Sequence, residues 1–125
     1  MGKVLIVDDI EITRHKIRSY MEKFGHTVIC EASNGDDALE LYKQFSPDIV
    51  TMDITMPPVN GVVNGLESLR LIRQYDNEAK VIMITSYGSS QLIIDAINLG
   101  ARGYVLKPIE EEKLESALSS LKLDT

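Results

Sequence analysis

Lys3-Val4-Leu5-Ile6-Val7-Asp8-Asp9 is a short aliphatic run that ends on two carboxylates. Such a run, rich in β-branched residues and polar only at its two ends, fits a strand buried on both faces. Three later runs end in the same manner: Ile49 to Met52 on Asp53, Val81 to Ile84 on Thr85, and Tyr104 to Leu106 on Lys107. In an open parallel sheet flanked by helices, ligands bind in the crevice outside the carboxyl ends of the strands. Residues far apart in sequence would therefore converge there, putting three carboxylates, a hydroxyl and an ammonium into one small volume.

Between these runs the apolar spacing turns helical, and strand and helix patterns alternate five times. Lys3 to Val7 is the first strand, and Ile10 to Phe24 the first helix, with Ile17, Tyr20, Met21 and Phe24 at helical spacing and Gly25 as its stop. Thr27 to Glu31 is the second strand; Asn34 then caps a helix whose Ala38, Leu39, Tyr42 and Phe45 share a face, punctuated by Pro47. Asp48 to Met52 is the third strand, followed by a helix over Gly65 to Gln74 offering Leu66, Leu69, Leu71 and Ile72 for burial. Lys80 to Ile84 is the fourth strand. Ser89 or Ser90 caps the next helix, which carries Leu92, Ile93, Ala96 and Ile97 and stops at Gly100. Tyr104 to Leu106 is the fifth strand, and Glu110 to Lys122 the last helix, with Leu114, Ala117, Leu118 and Leu121 on one side. This order predicts a doubly wound α/β fold with a parallel sheet. The 125 residues suit a single domain spanning 1–125, with none left over for an effector.

Composition narrows the function. At 44% hydrophobic and 26% charged residues the chain has a globular balance, with no apolar stretch long enough for a membrane span. A net charge of -6 disfavours binding to nucleic acid phosphates, so protein partners or cations are expected. The lone Cys30 allows no internal disulfide, and His15 and His26 lack companions at metal-binding spacing. The amino-terminal residues do not read as a secretory signal, which points to the cytoplasm.

Asp8, Asp9 and Asp53 gathered in a partly desolvated cleft would repel by about 4 kcal/mol per close pair at an effective dielectric of 20. A hard divalent cation removes that cost. Mg²⁺ takes one or two carboxylates plus waters and leaves positions for phosphate oxygens. A carboxylate is also a nucleophile toward phosphoryl groups. Asp53 stands alone at its strand end and is the better nucleophile, whereas the adjacent Asp8 and Asp9 suit a metal. Lys107 and the Thr85 hydroxyl could stabilise the equatorial oxygens.

The segments VLIVDD at 4–9, DIVTMDITMP at 48–57, VIMITSYG at 81–88 and GARGYVLKP at 100–108 resemble the receiver domain of two-component response regulators. The resemblance covers essentially the whole chain. It implies the flavodoxin-like, CheY-like (βα)5 fold with strand order 2-1-3-4-5. It also implies Asp53 as phosphoacceptor, Asp8, Asp9, Asp53 and the Thr55 backbone carbonyl as metal ligands, and Mg²⁺ as cofactor, with Mn²⁺ or Ca²⁺ able to substitute. Thr85, Lys107 and Tyr104 become the phosphate-binding and switch residues, and the Lys107–Pro108 bond is expected to be cis. The implied donor is a phosphohistidine on a histidine kinase or histidine phosphotransfer protein, and slow autodephosphorylation follows transfer. The implied output is a protein contact through helix four, strand five and helix five, made by a monomer or a phosphorylation-dependent dimer, with no nucleic acid or membrane partner. Arg14, His15 and Arg18 on the first helix either dock the kinase or form a solvated basic face.

Two departures from that family stand out. Val59-Asn60-Gly61-Val62 is followed by Val63-Asn64-Gly65-Leu66, a tandem duplication that predicts a lengthened loop beside Asp53. Ser86 stands where alanine is common. Thr55 and Tyr87, each two residues beyond a site residue, are expected to tune phosphoryl lifetime. Two other readings compete: a phosphorylation-independent interaction module, which the intact acidic set disfavours, and an Mg-dependent aspartyl phosphohydrolase, which would commonly carry an acid where Thr55 stands.

Overall fold

A computed structural model describes residues 2–55 and 64–121. Strands β1 (Lys3–Val7), β2 (Thr27–Ala32), β3 (Ile49–Met52), β4 (Val81–Thr85) and β5 (Gly103–Leu106) alternate with helices α1 (Glu11–Lys23), α2 (Gly35–Phe45), α3 (Gly65–Tyr75), α4 (Ser90–Asn98) and α5 (Glu111–Ser119). The strands form one parallel sheet in the order β2-β1-β3-β4-β5. This is the flavodoxin-like (βα)5 arrangement expected from the sequence.

The period-two alternation of the strands sorts their side chains into two cores. Leu5, Val7, Val50, Met52, Val81 and Met83 face α2, α3 and α4, meeting Ala38, Tyr42, Leu69, Ile72 and Ala96. Val4, Ile6, Ile49, Ile82, Ile84 and Val105 face α1 and α5, meeting Ile17, Met21, Leu114, Leu118 and Leu121. Both faces of the central strands are thus covered, so they carry nearly continuous apolar runs, interrupted in β3 by the buried Thr51.

Helix ends follow local chemistry. The Asn34 side chain accepts from Asp37 N–H to start α2, Asn64 accepts from Leu66 and Glu67 N–H to start α3, and Ser89 accepts from Leu92 N–H to start α4. Gly25 and Gly100 follow α1 and α4 at φ of 89° and 102°, where a side chain would be strained.

Several expectations shift. Helix α1 begins at Glu11, because Ile10 is its extended N-cap. Asp48 lies before β3, and its carboxylate instead accepts the Lys3 N–H at 2.8 Å. Strand β2 runs on to Ala32 and β4 takes in Thr85, while α5 starts at Glu111; Lys122 falls outside the described residues. Phe45 is 43% exposed and Ile97 is 58% exposed, although spacing assigned both to inward faces. Both sit in the last turns of their helices. Of the duplicated loop, Val59 to Val63 fall outside the described residues, and the second Asn-Gly pair forms the start of α3.

Candidate functional site

Register explains why the polar residues meet. Val7 pairs with Met52 and Met52 with Met83, so β1, β3 and β4 are level near their carboxyl ends. Asp8 and Asp53 each follow an aligned residue, and the Asp53 N–H donates to the Val7 carbonyl at 3.0 Å. Thr85 pairs with Leu106, and the Lys107 N–H donates to the Thr85 carbonyl at 2.8 Å. Lys107 therefore projects from the same edge. The peptide bond between Lys107 and Pro108 is cis.

Carboxylate oxygens of Asp8, Asp9 and Asp53 lie within 4.8 Å of one another. Asp8 is fully buried and Asp53 only 5% exposed, whereas Asp9 opens to solvent. Lys107 Nζ donates to Asp8 Oδ2 at 2.8 Å and to Asp53 Oδ2 at 3.2 Å, so one ammonium serves two buried carboxylates. Burial pushes the Asp53 carboxyl above its ordinary value; Lys107 pulls against this and the Asp8 charge reinforces it. Burial alone would lower Lys107, but the Asp8 hydrogen bond and the two carboxylate charges hold it above its ordinary value. The two directions agree physically, because a shared cation is well compensated while each anion it serves is only half so. The donor set, three carboxylates at one mouth with Lys107 bonded to two of them, fits a divalent ion that brings further positive charge.

The switch candidates are connected. Thr85 is buried, and its Oγ1 accepts the Tyr87 N–H at 3.3 Å; the Tyr104 hydroxyl donates to the Tyr87 carbonyl. Tyr104 is half-buried against the α2–α4 core, while the Tyr87 ring is 51% exposed. The Thr55 N–H donates to Asp53 Oδ1 at 3.3 Å, so Thr55 also lies against the site.

Residues 4–119 match the response regulator receiver domain family. The chain belongs to that family. This receiver is 44% identical over 119 residues to Protein CcdB of Bacillus subtilis strain 168, covering 95% of this chain and 96% of that one. It is 40% identical over 122 residues to the chemotaxis protein CheY of Thermotoga maritima, covering 97% and 98%. Among solved structures, a chain of the CheX-CheY-BeF3-Mg²⁺ complex from Borrelia burgdorferi superposes with a TM-score of 0.91 at 34% identity, covering 98% and 90%. The receiver fold and the acidic cluster together support a signalling role based on accepting a phosphoryl group, and the cluster can hold a divalent cation. Among the described residues no helix is long and apolar enough to cross a membrane.

Two site features escaped sequence reasoning. Arg14 Nη1 donates to the Asp8 carbonyl at 2.7 Å, a backbone contact that no residue pattern announces. Gly65 read as a turn former, yet a Cβ there would lie 1.9 Å from the Asp53 carbonyl oxygen, so close backbone approach is what excludes a side chain. Only the nearness of an Asn-Gly pair to the strand-end aspartate hinted at it.

Proposed function

We propose that this receiver accepts a phosphoryl group from a phosphohistidine of a histidine kinase or phosphotransfer protein onto Asp53. One observation carries the reading: a buried carboxylate within 4.8 Å of two others, held by an ammonium across the sheet edge. An Asp53 oxygen attacks phosphorus, the P–N bond breaks, and the imidazole leaves with the electron pair and takes a proton. Mg²⁺, the cation present with the similar Borrelia chain, would neutralise the carboxylates and the phosphoryl oxygens. Asp8, Asp9, Asp53 and the Thr55 carbonyl would hold it, with Mn²⁺ or Ca²⁺ as substitutes. Lys107, freed from its bond to Asp53, pairs with a phosphoryl oxygen.

Thr85 follows the new charge, and its contact with Tyr87 passes the change to Tyr104. The output surface is the α4, β5 and α5 face, where Ile94, Ile97 and Leu106 are 50%, 58% and 45% exposed. Slow hydrolysis of the acyl phosphate resets the switch, with Thr55 and Tyr87 tuning its rate. The whole chain acts as one cytoplasmic receiver domain.

Incubation with acetyl phosphate and Mg²⁺, read by intact mass, tests this. A single phosphoryl adduct is expected in the wild type and none in Asp53→Ala or in EDTA. An adduct that persists in Asp53→Ala would overturn the assignment. Substituting Thr55 and Tyr87 together should change the decay rate of the adduct, and unchanged decay would remove them as tuning residues.

A further inference from the structure

Asp8 is held from every side. Its N–H donates to the Ala32 carbonyl at 3.0 Å, its Oδ1 accepts the Ile10 N–H at 2.9 Å, and its Oδ2 accepts Lys107. The remaining polar group, the carbonyl, accepts Arg14 Nη1 at 2.7 Å. That carbonyl and the Asp9 N–H belong to one planar peptide unit, so whatever fixes the carbonyl also fixes the direction in which Asp9 leaves the strand. Asp9 is exposed, with none of the burial that immobilises Asp8 and Asp53. The Arg14 side chain is 17% exposed and anchored in turn, with Nε on Glu31 Oε1 at 3.0 Å. Arg18 clamps the other Glu31 oxygen at 2.9 and 2.5 Å.

We propose that Arg14, braced by Glu31, is a positioning residue for the divalent-cation site, setting the Asp8–Asp9 peptide so that the exposed Asp9 carboxylate is aimed at the ion before it binds. The inference rests on the metal reading above and adds to it a residue outside the ligand set. Arginine suits the task because two nitrogens of one planar, rigid fork hold a carboxylate and a carbonyl in a fixed relative geometry, which the point charge on a flexible lysine stem does not impose. Groups that orient metal ligands affect affinity nearly as much as some ligands themselves.

Charge and position make opposite demands here, and that separates them. Arg14 is a cation next to a cation site, so on Coulomb's law alone its removal would tighten metal binding. If it positions the peptide, removal weakens binding. Mn²⁺ affinity, measured by calorimetry or by the electron paramagnetic resonance signal of free Mn²⁺, gives the answer without any phosphorylation. Arg14→Gln and Arg14→Lys should each weaken Mn²⁺ binding by about tenfold, while Arg18→Gln, which removes the same charge from the same bridge but not the Asp8 contact, should stay within about twofold of wild type. Arg14→Lys keeps the charge and guards against a Gln variant that folds poorly; melting in EDTA checks both. Mn²⁺ binding by Arg14→Lys or folded Arg14→Gln as tight as wild type or tighter, or an equal loss in Arg18→Gln, would overturn the proposal. Wild-type protein that binds no Mn²⁺ would overturn the metal reading as well, a result plainly different from loss of the Arg14 effect alone.

Discussion

At His26 the ring Nδ1 accepts the Gly2 N–H at 2.9 Å, and the Gly2 carbonyl accepts the Thr27 N–H at 3.0 Å. This pins the entry to β1 against β2 at the edge of the sheet remote from the acidic cluster. Burial, helped by the amino-terminal charge, lowers the His26 pKa below its ordinary 6.5. The neutral ring is favoured in the folded state, since a protonated Nδ1 could not accept the Gly2 amide. The unfolded chain therefore binds a proton first as pH falls. The stability that His26 contributes is complete above pH 6.5 and is lost as pH falls from there through the lower folded value. Urea midpoints followed down that window should decline in the wild type, and His26→Gln should decline less steeply. Equal slopes would show that the ring is uncoupled from folding.

Helix α3 shows how an element can be placed by two residues of its first turn. The Asn64 side chain accepts from Leu66 N–H at 2.9 Å and Glu67 N–H at 3.1 Å, and the Gly65 N–H donates to the Ile54 carbonyl at 2.7 Å. The helix thus starts directly on the backbone that carries Asp53. Asn64→Ala removes a cap and should cost about 1 kcal/mol of stability, leaving phosphoryl acceptance nearly intact. Gly65→Ala meets the Asp53 carbonyl and must push α3 or β3 aside, at a cost of about 2 to 3 kcal/mol, and should also slow labelling by acetyl phosphate. Urea denaturation and intact mass together read both outcomes. Equal effects of the two substitutions would deny the special contact. The start of this helix at Gly65 was legible in the sequence and is where α3 begins, but neither the Asn64 cap nor the close approach of Gly65 to the Asp53 carbonyl was. A cap of this kind was legible at Asn34, which stands alone before a periodic apolar face, and was narrowed to Ser89 or Ser90 before α4, where the structure uses Ser89. Phe45 and Ile97 misled because helical spacing marks a shared face without showing whether another element packs on it.

Across the whole molecule, the fold was legible because both determinants are one-dimensional: apolar runs of strand length and helical stripes between them. The site was legible because a parallel sheet brings all strand ends to one edge, so Asp8, Asp53, Thr85 and Lys107 converge wherever the register is level. Contacts to backbone carbonyls, such as that of Arg14, depend on three-dimensional approach and leave no such trace. The same convergence creates a conflict between stability and function. Asp53, buried beside Asp8, has its pKa raised above 3.8, so without metal the folded state holds its proton more tightly than the unfolded chain. Its contribution to stability consequently falls as pH rises above 3.8 through the folded value, and at neutral pH the charged pair remains as a cost. A bound divalent cation offsets that cost. By linkage, an ion at one hundred times its dissociation constant should add about 2.7 kcal/mol. Asp53→Asn should therefore be more stable than wild type in EDTA, by about 1 to 2 kcal/mol, and should gain less from added Mg²⁺. Thermal melts of both proteins with and without Mg²⁺ measure the two differences directly. If Asp53→Asn were less stable in EDTA, the shared Lys107 bond would outweigh carboxylate crowding, and the edge would be organised for stability before metal arrives.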